Sequence, residues 1–191
     1  MLKEILEWDV ATFVYFNSLG SKPYDFFWST ITTITAWIPL FIVFFIFVST
    51  NNTKRQTFFK TLTVILLILF ITTVTGVTKE VFQRLRPNNN IDINSFIRIL
   101  RTPVSYSFFS GHSSSSFSIT TLMVLFLREK FKWCWVFYAW PLLFAYSRIY
   151  VGVHYPLDIL VGTVVGILSA ILFYKIYNKI IKPYSELNRH V

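Results

Sequence analysis

Cysteine occurs once in the 191 residues, at Cys134 inside an apolar run. A lone thiol makes neither an internal disulfide nor a zinc site, so a disulfide-stapled secreted domain and a zinc module are both excluded. Charge is scarce too: Asp, Glu, Lys and Arg make up 14% of the chain, against about 25% in an ordinary soluble domain. Only nine residues are acidic against eighteen basic, giving a net charge of +9. That excess would suit nucleic acid, yet no basic stripe lies on a soluble element. The cations flank apolar runs, which favours anionic lipid and phosphate and argues against nucleic acid. A cleavable leader is not expected, because Glu4, Glu7 and Asp9 interrupt the stretch where its apolar core would lie.

What is abundant is hydrocarbon: 54% hydrophobic and 19% aromatic residues. A spanning helix needs about 20 mostly apolar residues, and five candidates stand out. They are Phe26 to Ser49, Phe58 to Thr78, Ser110 to Leu127, Trp133 to Ala145 (extending through Tyr150 if it is to span) and Leu157 to Tyr177. Pro39 and Pro141 are expected to kink the helices that hold them. Residues 1–22 read as an amphipathic helix at the interface or a short span, with Leu2, Ile5, Leu6, Val10, Phe13 and Val14 on one side. The expected fold is an all-α polytopic membrane bundle of five to six spans, forming one domain over 1–191.

The connections orient it. Lys54, Arg55 and Lys60, then Arg128, Lys130 and Lys132, then Lys175, Lys179, Lys182 and Arg189 all fall on one side of five alternating spans. The positive-inside rule makes that side cytoplasmic. Three polar segments then share the opposite face: Lys79 to Pro87, Ser110 to His112, and Ser147 to Asp158. Arg84, Arg86, Arg98, Arg101 and Arg148 also lie there, and cations held in a site are exceptions to a rule about loops.

Each segment carries chemistry. His154 and Asp158 are four apart with Pro156 between, so the carboxylate can hold one ring nitrogen and leave the other nucleophilic. The competing reading is a helix-capping Asp beside an incidental His. Asp158, Gly162, Gly166 and Ala170 recur at steps of four, which turns the carboxylate into the bundle along a small-residue ridge. Ser110 and Gly111 begin a helix whose free N–H groups cradle an anion, and His112 beside them can protonate a leaving oxygen. The serines after it, Ser113 to Ser116 and Ser118, read as packing, not as nucleophiles. Lys79 and Arg86 suit phosphate oxygens, whereas Arg84 reads as a snorkelling cation.

Together these segments resemble the signature motifs of the type-2 phosphatidic acid phosphatase superfamily, which shares its site with vanadium haloperoxidases. K-x6-RP is matched by Lys79, Arg86 and Pro87, and SR-x5-H-x3-D by Ser147, Arg148, His154 and Asp158. PSGH is matched by Ser110, Gly111 and His112, with Phe109 in place of the proline. The resemblance implies a phosphohistidine on His154, oriented by Asp158, with His112 protonating the leaving group. Lys79, Arg86 and Arg148, with Ser110 and Gly111, would neutralise the phosphoryl oxygens, and no metal or other cofactor would be required. It implies a phosphorylated membrane lipid as partner and, from the small bacterial members, undecaprenyl diphosphate before phosphatidylglycerol phosphate, phosphatidic acid or lipid A. A bacterial inner-membrane location with the site facing outward follows.

Residues 88–109 make a long connection, expected either as a lid with Arg98 or Arg101 meeting a second phosphate or headgroup, or as a plain surface loop. A transporter of phosphorylated lipid is the competing class, but it would place charge at midplane or show an inverted repeat. A haloperoxidase is disfavoured by the chain's membrane character.

Overall fold

A computed structural model of the chain describes residues 1–50 and 52–186; Arg189, counted above among the cytoplasmic cations, lies outside them. Helices dominate, and among the described residues no strand forms. In chain order they are α1 (Leu2–Ser18), α2 (Asp25–Ile31), α3 (Ile38–Thr50), α4 (Lys54–Phe82), α5 (Gly111–Leu127), α6 (Ala139–Tyr150), α7 (Pro156–Ile176) and α8 (Lys182–Glu186).

Local chemistry sets the boundaries. Thr53 and Gln56 form a reciprocal capping box at the start of α4, with bonds of 3.3 and 3.0 Å. Gln83 ends that helix in the left-handed region (φ 44°) and donates its N–H to the Lys79 carbonyl. Ser110 caps α5, accepting from the Ser113 amide at 3.3 Å. Pro156 opens α7, where its missing N–H costs nothing.

α5 is the axis of the bundle. It packs against α7, α4 and α6, and none of its 17 residues is exposed. Its contact with α7 is close because Gly162 and Gly166 face the Ser110 and Ser114 carbonyls. The hydroxyls of α5 bond within the helix, Ser114 to the Gly111 carbonyl and Ser118 to that of Ser115. An apolar core of Phe44, Leu67, Leu122, Phe126, Trp140 and Phe144 fills the middle of the bundle. A smaller cluster of Phe13, Ile93, Ile149 and Tyr155 ties α1 and the 88–109 segment to α6 and α7.

Two helical stretches are long and apolar enough to cross a membrane, Lys54–Asn89 and Pro156–Tyr184, and a third if the bent pair Lys22–Ile31 with Ile34–Thr50 counts as one. The bend in that pair is 71° and falls at Thr32–Thr33, not at Pro39. Thr33 is extended, and the Trp37 indole caps the freed Ile31 carbonyl at 2.7 Å. Pro39 sits harmlessly in the first turn of α3. Pro141 likewise falls in the first turn of α6, after a 3₁₀ stretch Lys132–Tyr138, and that region runs on through Tyr150.

α1 divides its expected apolar side between the protein and the outside. Its buried stripe is Asp9, Phe13 and Asn17, while Leu2, Ile5 and Leu6 point outward. The Asn17 side chain explains the polar stripe. It donates to the carbonyls of Arg98, Ile149 and Tyr150 and accepts from the Arg98 amide at 2.7 Å.

Candidate active site

His154 lies in the turn between α6 and α7 and is 1% exposed. Its Nδ1 is 3.4 Å from Asp158 Oδ2, and its Nε2 is 3.0 Å from Arg86 Nη1. A guanidinium only donates, so Nε2 is the acceptor and the ring proton sits on Nδ1, facing the carboxylate. Burial, reinforced by the charges of Arg86, Arg148 and Lys79, holds the imidazole pKa well below its ordinary value. The ring is neutral with a lone pair on Nε2.

Asp158, on the first turn of α7, is fully buried and fully partnered. Oδ2 accepts from the Tyr155 amide at 3.0 Å and from the Ser107 hydroxyl, which also lies 3.4 Å from His154 Nδ1. Oδ1 accepts from Arg84 Nη1 at 2.7 Å. Arg84 turns its other terminal nitrogen to Asp9 Oδ2 at 2.6 Å, with its guanidinium 4.1 Å from the centre of the Tyr155 ring. Asp9 Oδ1 then accepts the Leu157 amide at 2.8 Å. Arg84 is therefore not a snorkelling cation. It is mostly buried between two carboxylates that have no exposure at all.

The other cations surround the imidazole. Arg86 is fixed by Ser105, through Nε to its carbonyl at 2.6 Å and Nη2 to its hydroxyl at 3.0 Å, and by the Val153 carbonyl. Arg148, 6% exposed, bonds through Nη1 to Thr32 Oγ1 at 2.5 Å, and its buried Nε has no hydrogen-bond partner among the described residues. Lys79 donates to the Tyr106 carbonyl at 2.7 Å. The Ser110 amide donates to the Asp158 main-chain carbonyl at 2.9 Å, which pins the start of α5 to the start of α7. His112 packs on Phe144, and the charges of Arg148, Arg86 and Lys79 act on its ring.

His112 also stands between two cavities. One, of about 700 Å³, is a polar cleft edged by Thr32, Arg101, Thr102 and Arg148. The other, of about 530 Å³, starts at Lys79, Gly111 and His112 and runs between α3, α4 and α5 past Phe41, Ile68 and Trp140. It continues into an apolar groove that shares Phe41, Ile68 and Ile119 and descends to Lys60.

The structure thus brings together Lys79, Arg86, Ser110, Gly111, His112, Arg148, His154 and Asp158. Arg101 edges the cleft. Arg98 does not, because its guanidinium is paired with Asp25, which also accepts from the Tyr150 hydroxyl at 2.9 Å. The 88–109 segment is built into the site: Ser105, Tyr106 and Ser107 hold Arg86, Lys79 and Asp158, and the Ser107 amide is bound to the Arg84 carbonyl at 2.8 Å. Sequence reasoning passed over Ser107 and Asp9. Asp9 was legible only as an acid out of place in an apolar helix face.

A helical membrane fold with an imidazole–carboxylate pair inside a ring of cations defines a phosphoryl-transfer enzyme working on lipid. The PAP2 superfamily profile matches residues 58–182, and the chain belongs to that superfamily: it is a lipid phosphatase, a hydrolase of phosphoric esters. It is 27% identical over 179 residues to the lipid A 4'-phosphatase of Porphyromonas gingivalis, covering 92% of this chain and 75% of that one. To the undecaprenyl-diphosphatase of Sulfolobus acidocaldarius it is 32% identical over 131 residues, 68% of this chain and 58% of the other. The crystal structure of Aquifex aeolicus LpxE superposes with a TM-score of 0.66 at 27% identity, covering 87% of this chain and 94% of that one.

Proposed function

We propose that the enzyme removes a phosphate from a membrane lipid through a phosphohistidine on His154, without a metal ion. The observation that carries this is the neutral imidazole held between Asp158 on Nδ1 and Arg86 on Nε2. A phosphoryl group entering the cleft takes over the Arg86 donor and exposes the Nε2 lone pair. Nε2 attacks phosphorus, the ester P–O bond breaks, and His112 protonates the departing lipid oxygen. Asp158 holds the Nδ1–H as positive charge develops on the ring. Arg86, Arg148, Lys79 and the start of α5 at Gly111, behind its cap Ser110, neutralise the phosphoryl oxygens, an electrostatic role that fixed cations can fill. Water, deprotonated by His112, then attacks phosphorus, the P–N bond breaks, and phosphate leaves with the His154 imidazole restored.

For the lipid, the expectation of undecaprenyl diphosphate takes second place to the phosphate of a lipid A-type glycolipid. The lipid A 4'-phosphatase relative aligns over 92% of the chain and the undecaprenyl-diphosphatase over 68%. Arg101, beside Arg148 at the polar cleft, would meet a second phosphate or the headgroup. The groove between α3, α4 and α5 would take an acyl or prenyl tail. The topology proposed with this is five spans: the bent pair, α4, α5, the 3₁₀ stretch with α6, and α7. α1 lies along the bundle at the site end. Lys60, Lys130 and Lys182 edge one cleft at the far end, so the site faces away from the cytoplasm of a bacterial inner membrane.

The test is phosphate release by detergent-purified protein in excess chelator, from a lipid A bisphosphate and from undecaprenyl diphosphate, against His154→Ala. Release that disappears in the variant, with an acid-labile phosphoenzyme in the wild type only, is the expected result. Release that survives His154→Ala, or that chelator abolishes, overturns the mechanism.

A further inference from the structure

The chain of charges behind the imidazole reaches beyond the family match. Asp158 belongs to the matched region 58–182, but Asp9, on α1, lies outside it. Asp9 is nonetheless fully buried and joined to Asp158 by one guanidinium, with contacts of 2.6 and 2.7 Å. Two carboxylates and one arginine carry a net charge of −1. Buried carboxylates without counter-charge are strongly disfavoured, and Arg84 is the counter-charge that both share. Yet an arginine paired with Asp158 alone would cancel the charge that His154 must lean on.

We infer that Arg84 and Asp9 are positioning residues for the reaction at His154: Arg84 neutralises the buried pair, and Asp9 draws half of that guanidinium away so that Asp158 keeps its charge for the Nδ1–H. The inference rests on the reading of His154 as nucleophile. Its geometry is distinctive because each partner is fixed from a second side. Asp9 is bound by the Leu157 amide, one residue from the α7 start, and Asp158 by the Tyr155 amide and Ser107. Tyr155 covers the guanidinium face. α1 is thereby part of the site, through a carboxylate that acts on His154 by way of Arg84 and Asp158.

The charged and titratable groups facing His154 are Lys79 from α4, Arg84 and Arg86 from the segment after it, His112 from α5, Arg148 from α6 and Asp158 from α7, with Asp9 behind Arg84. Only changes at Asp9 and Arg84 alter the charge behind Asp158 without touching the phosphoryl pocket. Asp9→Asn leaves Arg84 wholly to Asp158, so the imidazole loses support. kcat falls about tenfold, the lower end of the scale for losing an outer partner that orients a histidine, while KM stays within about twofold. The acid limb of kcat/KM moves to lower pH, because a negative charge has been removed. Arg84→Gln does the reverse: Asp158 is left uncompensated, His154 binds its proton more firmly, and the limb moves to higher pH. Asp9→Glu and Arg84→Lys keep the charges and restore the wild-type limb.

The deciding experiment pairs these profiles with ¹⁵N and proton chemical shifts of the His154 ring in detergent micelles, which need no turnover. Opposite displacements in Asp9→Asn and Arg84→Gln, in both limb and Nδ1–H shift, are expected. A purely structural role would lower folded yield in both variants and shift neither, and that result, with active wild type, overturns the inference and leaves the phosphatase mechanism standing. If the wild type releases no phosphate while the ring shifts still move oppositely, the charge coupling holds and the phosphohistidine reading fails.

Discussion

Gly162→Ala asks how much of the site depends on the closeness of α5 and α7. A Cβ at 162 would lie 2.7 Å from the Ser110 carbonyl oxygen and 3.4 Å from both Ser113 Cβ and the Ser114 amide. The obstacle at 2.7 Å is backbone, so no rotamer change relieves it. A carbon–oxygen contact of about 3.3 Å requires α5 to retreat by roughly 0.6 Å. The Ser110 amide to Asp158 carbonyl bond, now 2.9 Å, would stretch to about 3.5 Å, the limit of hydrogen bonding. Overpacking of this kind costs about 1–3 kcal/mol, offset by roughly 1 kcal/mol of better helix propensity. Net destabilisation is therefore small, about 0–2 kcal/mol. Activity suffers more, because Ser110, Gly111 and His112 move relative to His154, and misplacement near 1 Å can cost about a hundredfold. The assay is phosphate release alongside thermal unfolding of the same detergent preparation, with Gly76→Ala as a stability control, since nothing lies within 4 Å of its added Cβ. A Gly162→Ala protein that melts as the wild type does and keeps activity within about twofold would refute the close-packing argument.

The acid limb of kcat/KM should lie well below the ordinary imidazole range, because His154 must be neutral to attack and burial with Arg86, Arg148 and Lys79 depresses its pKa. A limb near 6.5 would show that the ring is not held as described. Asn17→Ala should lower stability by about 2–3 kcal/mol, read by thermal unfolding, since the Arg98, Ile149 and Tyr150 carbonyls and the Arg98 amide each lose a bond to its side chain. Arg101→Ala should raise KM for doubly phosphorylated lipids more than for monophosphates. Arg98→Ala should instead lower the melting point, because it breaks the pair with Asp25, with KM unchanged.

The motifs were legible because each is a short run whose chemistry depends on local spacing. His154, Pro156 and Asp158 sit within five residues, and the helix start they encode places the carboxylate. Arg84 was not legible, although it stands between Lys79 and Arg86. Its partners are 75 residues before it and 74 after, and no periodic pattern records a pairing at that distance. The bend at Thr32–Thr33 was missed for a related reason: Pro39 advertised a break, but its position in a first turn made it harmless, while two threonines gave no signal. The inward face of α1 was not legible because an interfacial reading grouped Phe13 with Leu2, Ile5 and Leu6 on one apolar side. In a bundle sheathed by lipid, hydrocarbon belongs equally outside, and the buried stripe is marked by Asp9 and Asn17 instead.

The enclosure of α5 carries a consequence for the membrane around it. At 17 residues the helix is about 25 Å long, shorter than a hydrocarbon core of about 30 Å. A lipid-facing helix of that length would thin the bilayer or tilt. No residue of α5 is exposed, so bilayer thickness acts on its neighbours before it acts on α5. The serine-rich segment that carries Ser110, Gly111 and His112 is insulated from mismatch, and its alignment with α7 is fixed from within the protein, by glycine-to-carbonyl contact and by the Ser110 amide on the Asp158 carbonyl. The enzyme should keep its catalytic register in bilayers of different chain length, with thickness felt only in how readily a lipid reaches the groove.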